Sequence, residues 1–292
     1  MKYAIEIKNL TKKYGKHRGV VDVDLSVNEG EWFGFIGPNG AGKSTTIRTL
    51  LGLIQPTSGE SRVNGMDSWK MRERIMEDVG YLPSEAIFYP EMSVKDTLDY
   101  ALSFYKTRDQ KRQDELCQRF QLDKKRRVGE LSYGNRKKVG IVAALQHSPS
   151  ILILDEPTGG LDPLMQREFF SILDEEHKKG KTIFMSSHIL SEIEHYAETA
   201  AFIRDGRIIL KKEVAEIAKN SARRVNLRGS VELDGLEGVK EVVESKEGMT
   251  FLYSGESRKL LDTLSKGEVR DFTVTEPDLE EVFLYYYKRE EK

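Results

Sequence analysis

The chain has 292 residues, 46 basic against 48 acidic side chains and a formal net charge of −2, room for one large domain with an appendage or for two domains. So even a balance lacks the basic footprint of a nucleic-acid binder, and the runs Lys124-Lys125-Arg126-Arg127 and Arg136-Lys137-Lys138 read as solvated faces. The single cysteine, Cys117, excludes an internal disulfide and suits a reducing compartment, and no run approaches the roughly 20 apolar residues that cross a bilayer.

The first residues alternate apolar and polar from Tyr3 to Leu10, as a strand does, with no signal-peptide core before them. A protein kept in the cytoplasm is expected, one that reaches a membrane only through a partner. Val20 to Val27 alternates again, and Trp32 to Ile36 is a short apolar run that reads as a buried strand.

That strand leads into Gly37-Pro38-Asn39-Gly40-Ala41-Gly42-Lys43-Ser44-Thr45, and apolar residues at helical spacing follow through Leu51. A strand, a glycine-rich turn and a helix start form a phosphate trap. Backbone N–H groups point into the loop, and the positive end of the helix dipole faces the anion. Lys43 is expected to reach the β- and γ-phosphates of a bound nucleotide and the Ser44 hydroxyl to sit on Mg²⁺; the loop alone serves ATPases, GTPases and kinases alike.

Gly52 to Gly65 is turn-rich, Val79 to Pro83 is a short strand closed by proline, and Ser93 N-caps a charged helical pattern that continues to about Val128. A further helix starts after Ser132. Ile151-Leu152-Ile153-Leu154 is a buried parallel strand ending in Asp155 and Glu156. A carboxylate there lies at the sheet edge that also carries the phosphate loop. Asp155 is expected to hold Mg²⁺, and Glu156 to act as the base toward the attacking water. Thr182 to Ser186 is another strand, and Ala200 to Leu210 a hairpin turning at Asp205-Gly206.

Past about Lys212 the motifs stop. Strand-like stretches at Arg224–Leu227, Met249–Tyr253 and Asp271–Thr275 mix with helical ones at Ser257–Leu264 and Asp278–Lys288. The expected layout is a nucleotide-binding unit over 1–212 with a helical subdomain at about 90–145, a linker over 213–222, and an α+β accessory domain over 223–292.

Further segments fall into a familiar order: Tyr14 in Thr11-Lys12-Lys13-Tyr14-Gly15, then Leu131-Ser132-Tyr133-Gly134-Asn135, Gly160-Leu161-Asp162 and Ser186-Ser187-His188. With the phosphate loop and the carboxylate pair, this series resembles the nucleotide-binding subunits of ATP-binding-cassette (ABC) transporters over roughly residues 3–210. The resemblance implies an α/β P-loop ATPase core with an antiparallel β subdomain and a helical subdomain. It implies that Tyr14 stacks on adenine and that Ser132 and the Gly134 N–H reach the γ-phosphate of a second copy in a head-to-tail dimer. It implies that Gly160-Leu161-Asp162 is the D-loop that follows the carboxylate strand, with Asp162 among the ATP-binding residues, and that His188 contacts the γ-phosphate and helps hold the attacking water.

Two departures stand out. Tyr133 and Asn135 replace the usual residues of the signature, and Ser84 stands where the family has a glutamine, with Glu85 beside it as the other substitute. Loop Leu82-Pro83-Ser84-Glu85 and tail Glu276–Phe283 resemble the drug- and antibiotic-exporter branch, with Tyr285-Tyr286-Tyr287 as a packing or dimer patch. An ATPase that drives separate membrane permease subunits is the reading this supports; a soluble cassette acting on DNA or the ribosome is the alternative.

Overall fold

The computed structural model describes residues 2–15, 17–219, 223–245 and 247–275. The chain divides into two compact units, Met1–Lys211 and Lys212–Lys292.

In the first unit, β1 (Tyr3–Tyr14) and β2 (His17–Asn28) pair antiparallel. Ile5, Ile7, Val23, Leu25 and Val27 are buried, the inward set of two alternating strands. β3 (Trp32–Ile36) is buried throughout and feeds the phosphate loop and α1 (Lys43–Leu50). β4 (Ser58–Val63) and β5 (Met66–Asp67) complete a four-stranded sheet of order β2-β1-β4-β5. β4 lies within the stretch read as turns. Its six residues, SGESRV, hold one apolar side chain, so pairing with β1 and not local pattern makes it a strand.

Next come α2 (Arg72–Met76), β6 (Val79–Leu82), α3 (Val94–Ser103), α4 (Gln110–Arg119) and α5 (Tyr133–Leu145). The single helical pattern expected from Ser93 to Val128 is two helices. Ser93 caps the first, accepting from Asp96 N at 3.0 Å; Asp109 restarts the second, accepting from Arg112 N at 2.9 Å. β7 (Ile151–Asp155), α6 (Pro163–Lys178), β8 (Thr182–Ser187), α7 (Leu190–Tyr196), β9 (Thr199–Arg204) and β10 (Arg207–Glu213) follow.

These make a six-stranded sheet of order β10-β9-β3-β8-β7-β6. β9, β3, β8, β7 and β6 run parallel, and β3, β7 and β8 are buried along their whole lengths. Helices therefore cover both faces. One core joins the two sheets through Phe33, Phe35, Ile47, Leu50, Ile153 and Phe184.

The second unit opens with α8 (Val214–Lys219) and contains β11 (Arg223–Ser230), β12 (Val239–Ser245), β13 (Gly248–Tyr253), α9 (Ser257–Leu264) and β14 (Glu268–Thr275). Its sheet has order β12-β13-β11-β14 and packs Val225, Leu227, Phe251 and Tyr253 against Leu260 and Leu264 of α9. The fold is thus α/β with an antiparallel sheet, a helical insertion and a small α+β unit. The expected helix Asp278–Lys288, the tail Glu276–Phe283 and Tyr285-Tyr286-Tyr287 lie outside the described residues.

Candidate active site

The parallel order places the C-terminal ends of β3, β8 and β7 side by side. Register aligns Phe35 with Ser186, and Ser186 with Asp155. The phosphate loop after β3 and the carboxylates after β7 therefore share one edge, with β8 between them.

Within the loop, Gly42 has φ 111° and precedes α1. A Cβ there would fall 2.6 Å from Val20 Cγ1, so only glycine fits. The loop is braced from outside: Ala41 O accepts from Gly206 N at 2.9 Å, and Gly206 O from Val21 N at 2.8 Å. Pro38, Asn39 and Gly40 form its exposed rim, while Ala41 is buried and Ser44 and Thr45 are half-buried. Lys43 is 6% exposed. Its Nζ donates to Gly37 O at 2.5 Å and Pro38 O at 3.3 Å, and pairs with Glu156 Oε1 at 3.0 Å.

Asp155 is 1% exposed; Oδ1 accepts from Ser186 Oγ at 2.6 Å, and Oδ2 has no hydrogen-bond partner. A buried carboxylate oxygen without a donor is costly unless a cation completes it. Mg²⁺ takes one or two protein oxygens and keeps phosphate and water for the rest, so Asp155 Oδ2 with the Ser44 hydroxyl fits it.

Glu156 stands in left-handed backbone, φ 49°, uncommon for any residue but glycine, asparagine or aspartate. Its N–H donates to Ser186 O at 3.2 Å and Ser186 Oγ at 3.1 Å. Its Oε2 lies 2.6 Å from His188 Nδ1. Behind His188, Ser187 Oγ accepts from Ile189 N and donates to Glu192 Oε2 at 2.7 Å; burial pushes the Glu192 carboxyl above its ordinary range.

The remaining residues singled out in the sequence fall around this edge. Tyr14 ends β1, exposed, and lies against Gly19, whose carbonyl is 3.5 Å from where a Gly42 Cβ would be. Ser132 N-caps α5, its hydroxyl accepting from Asn135 N at 3.3 Å. Asp162 N-caps α6, accepting from Leu164 N at 3.1 Å and Met165 N at 3.0 Å, with Pro163 next. The two caps are neighbours: a Cβ on Gly134 would stand 2.3 Å from Gly160 O, and Tyr133 lies over Gly160. Ser84 is half-buried and meets the site through its carbonyl, whereas Glu85 is exposed and pairs with no cation among the described residues.

Three residues here had no role assigned from sequence: Ser186, Glu192 and Lys137. Lys137 also corrects the reading of 136–138 as a solvated run, because Lys137 is 2% and Lys138 9% exposed. The signal was available. Val139-Gly140-Ile141-Val142 follows directly on the same helix, which leaves no wide solvent face.

A family model described as "ABC transporter" matches residues 20–159. The bacitracin transport ATP-binding protein BcrA of Bacillus licheniformis is 32% identical over 297 residues, covering 97% of both chains. The chain belongs to the ABC transporter ATP-binding family. The lantibiotic transport ATP-binding protein SrtF of Streptococcus pyogenes is 37% identical over 211 residues, 72% of this cassette protein and 90% of the relative. Among solved structures, one described as the ATP-binding subunit of an ABC transporter superposes with TM-score 0.69 at 31% identity, over 74% of this chain and 92% of that one. A dimeric cassette in a post-hydrolysis state with ADP and phosphate shares the fold, with TM-score 0.66 at 23% identity. This cassette is accordingly an ATP-binding, ATP-hydrolysing subunit of a transporter.

Proposed function

We propose that the cassette binds MgATP, closes on a second copy of itself and drives export of a drug, antibiotic peptide or similar amphiphile through separate membrane permease subunits. The observation that carries the chemistry is one cluster: Lys43 and His188 on the two oxygens of Glu156, beside the unsatisfied Asp155 Oδ2. The relatives that transport bacitracin and lantibiotics support the cargo class and favour transport over action on DNA or the ribosome.

In this reading the loop Gly37–Thr45 cradles the phosphates with its free backbone N–H groups, Pro38 having none and Ala41 N–H being donated to Pro38 O at 3.1 Å, and Tyr14 supports the adenine. Ser44 and Asp155 would hold Mg²⁺, which would supply neutralisation of charge on the phosphate oxygens. Lys43 leaves Glu156 for the phosphates. Glu156 then takes the proton of the attacking water, and His188, hydrogen-bonded to it, fixes its aim toward the γ-phosphate. Ser132 and Gly134 of the second copy present a helix N-terminus to the same phosphate, and Asp162 holds the neighbouring loop. Ser84 through water, or Glu85 directly, stands in for the family's glutamine.

Tyr89, Tyr100 and Phe104 form an exposed aromatic strip with exposures of 66, 50 and 68%, and Ile87, 88% exposed, precedes it in the chain just past Ser84-Glu85. We assign it to the permease's cytoplasmic face. No helix among the described residues is long and apolar enough to cross a membrane. The cassette would then sit on the inner face of the cell membrane through that contact. Co-purification with a polytopic membrane protein tests this: Ile87→Asp with Phe104→Asp should abolish capture and leave hydrolysis by the free cassette unchanged. Native capture by that double variant would remove the strip as the docking surface.

A further inference from the structure

Lys137 is a fully buried ammonium group that the hydrolysis scheme above does not use. It lies on the second turn of α5, and its Nζ donates to three backbone carbonyls: Glu156 O at 2.9 Å, Ser84 O at 2.9 Å and Pro83 O at 3.3 Å. One donor thus joins three separate segments. One is the helix whose N-terminus carries Ser132 and Gly134. Another is the loop where the family's glutamine is missing. The third is the residue after β7 that holds the proposed base.

The contact with Glu156 bears on function because of that residue's backbone. In left-handed conformation, glutamate stays only where its surroundings over-determine it. Ser186 holds the N–H from one side, and Lys137 holds the C=O from the other. Together they fix the direction in which the carboxylate leaves the chain. α5 is seated closely enough to keep this geometry: a Cβ on Gly140 would meet Leu82 Cδ1 at 3.0 Å and Ala86 Cβ at 3.2 Å, and one on Gly80 would meet Ala144 O at 2.2 Å. Any displacement of α5 is therefore carried by the same side chain to both Glu156 and residues 83–84.

We propose that Lys137 is a positioning residue for hydrolysis: it locks the Glu156 backbone and ties the Pro83-Ser84 loop to the signature helix, supplying from α5 a linkage that no glutamine at position 84 provides. The proposal rests on Glu156 being the base. A purely structural role would instead require only that the lysine support folding.

The test is steady-state MgATP hydrolysis, ATP affinity and thermal melting of the full chain as Lys137→Met and Lys137→Gln. Methionine keeps the length and removes every donor; glutamine keeps two N–H donors without charge. Lys137→Met should lose at least about tenfold in kcat with ATP affinity within about twofold, and Lys137→Gln should recover most of that loss. Native kcat in Lys137→Met overturns the proposal, as does parallel loss of kcat, affinity and melting temperature that glutamine does not repair. Should Lys137→Met fail to fold, Lys137→Gln decides: kcat within about fivefold of native supports the donor role, and a hundredfold loss with affinity intact overturns it. Glu156→Gln, assayed alongside, tests the base separately, because native turnover there removes Glu156 whatever the Lys137 variants do.

Discussion

Lys43 and Glu156 hold each other: the lysine Nζ stands 3.0 Å from Oε1, while Oε2 is 2.6 Å from His188 Nδ1. On the roles proposed above, an ATP phosphate entering the loop would compete with Glu156 for the same ammonium group. Ligand capture and release of the base would then be a single exchange of partners.

Glu156→Gln keeps the shape and removes the negative charge. ATP binding should persist, phosphate release should fall by at least about a hundredfold, the span of general-base catalysis, and an ATP-dependent dimer should accumulate on size-exclusion chromatography. An unchanged rate of phosphate release would sink the assignment.

The start of α5 leaves no room beside Gly160. A methyl group on Gly134 would stand 2.3 Å from the Gly160 carbonyl oxygen, and both partners are backbone, so the helix or the loop must move. Gly134→Ala should lower turnover by roughly tenfold or more while the monomer's ATP affinity stays near native, as expected when a phosphate donor is displaced only in the closed dimer. Isothermal titration beside an ATPase assay separates the two; equal losses in both would show that the change damages the nucleotide's own loop.

His147 gives the fold an acid limit. It is 5% exposed and stacks on Tyr105 at 3.6 Å between centroids, and burial holds its pKa down to about 4 from 6.5. Between those values the unfolded chain binds a proton that the folded one refuses. Stability is therefore full above pH 6.5 and declines as pH falls toward 4, by about 3 kcal/mol at most. Melting curves at pH 7.5 and pH 5 should show a drop that is smaller in His147→Phe; an equal drop would assign the acid sensitivity to other groups.

The sequence made the nucleotide edge legible for a definite reason. Gly37, Gly42 and Lys43 are constrained by backbone geometry and phosphate chemistry, which leave fixed residue types at fixed spacing. β3 and β7 announce themselves because a strand buried on both faces must be apolar throughout. β4 left no such trace, since its strand state is imposed by β1. β12 left little, because most of its side chains face solvent. Lys137 was hidden by its neighbours Arg136 and Lys138: three basic residues in a row look like surface until the helix is seen to be enclosed. Ser84 could be seen as a departure from its family, but that α5 reaches its carbonyl depends on long-range packing that no local window contains.

The placement of β8 between β3 and β7 has a consequence for the chain as it is made. Residues 1–156 already contain the whole phosphate loop and both carboxylates, yet they lack the strand that sets one beside the other. Until Thr182–Ser187 docks, Asp155 has no Ser186 hydroxyl to orient it, and Glu156 has no N–H acceptor to turn its backbone left-handed. Insertion of a central parallel strand is a non-local, slow kind of step. The nascent protein thus acquires its nucleotide-binding sequence well before the strand that sets the loop and the carboxylates side by side, so on the proposed roles nucleotide binding would precede hydrolytic competence during synthesis.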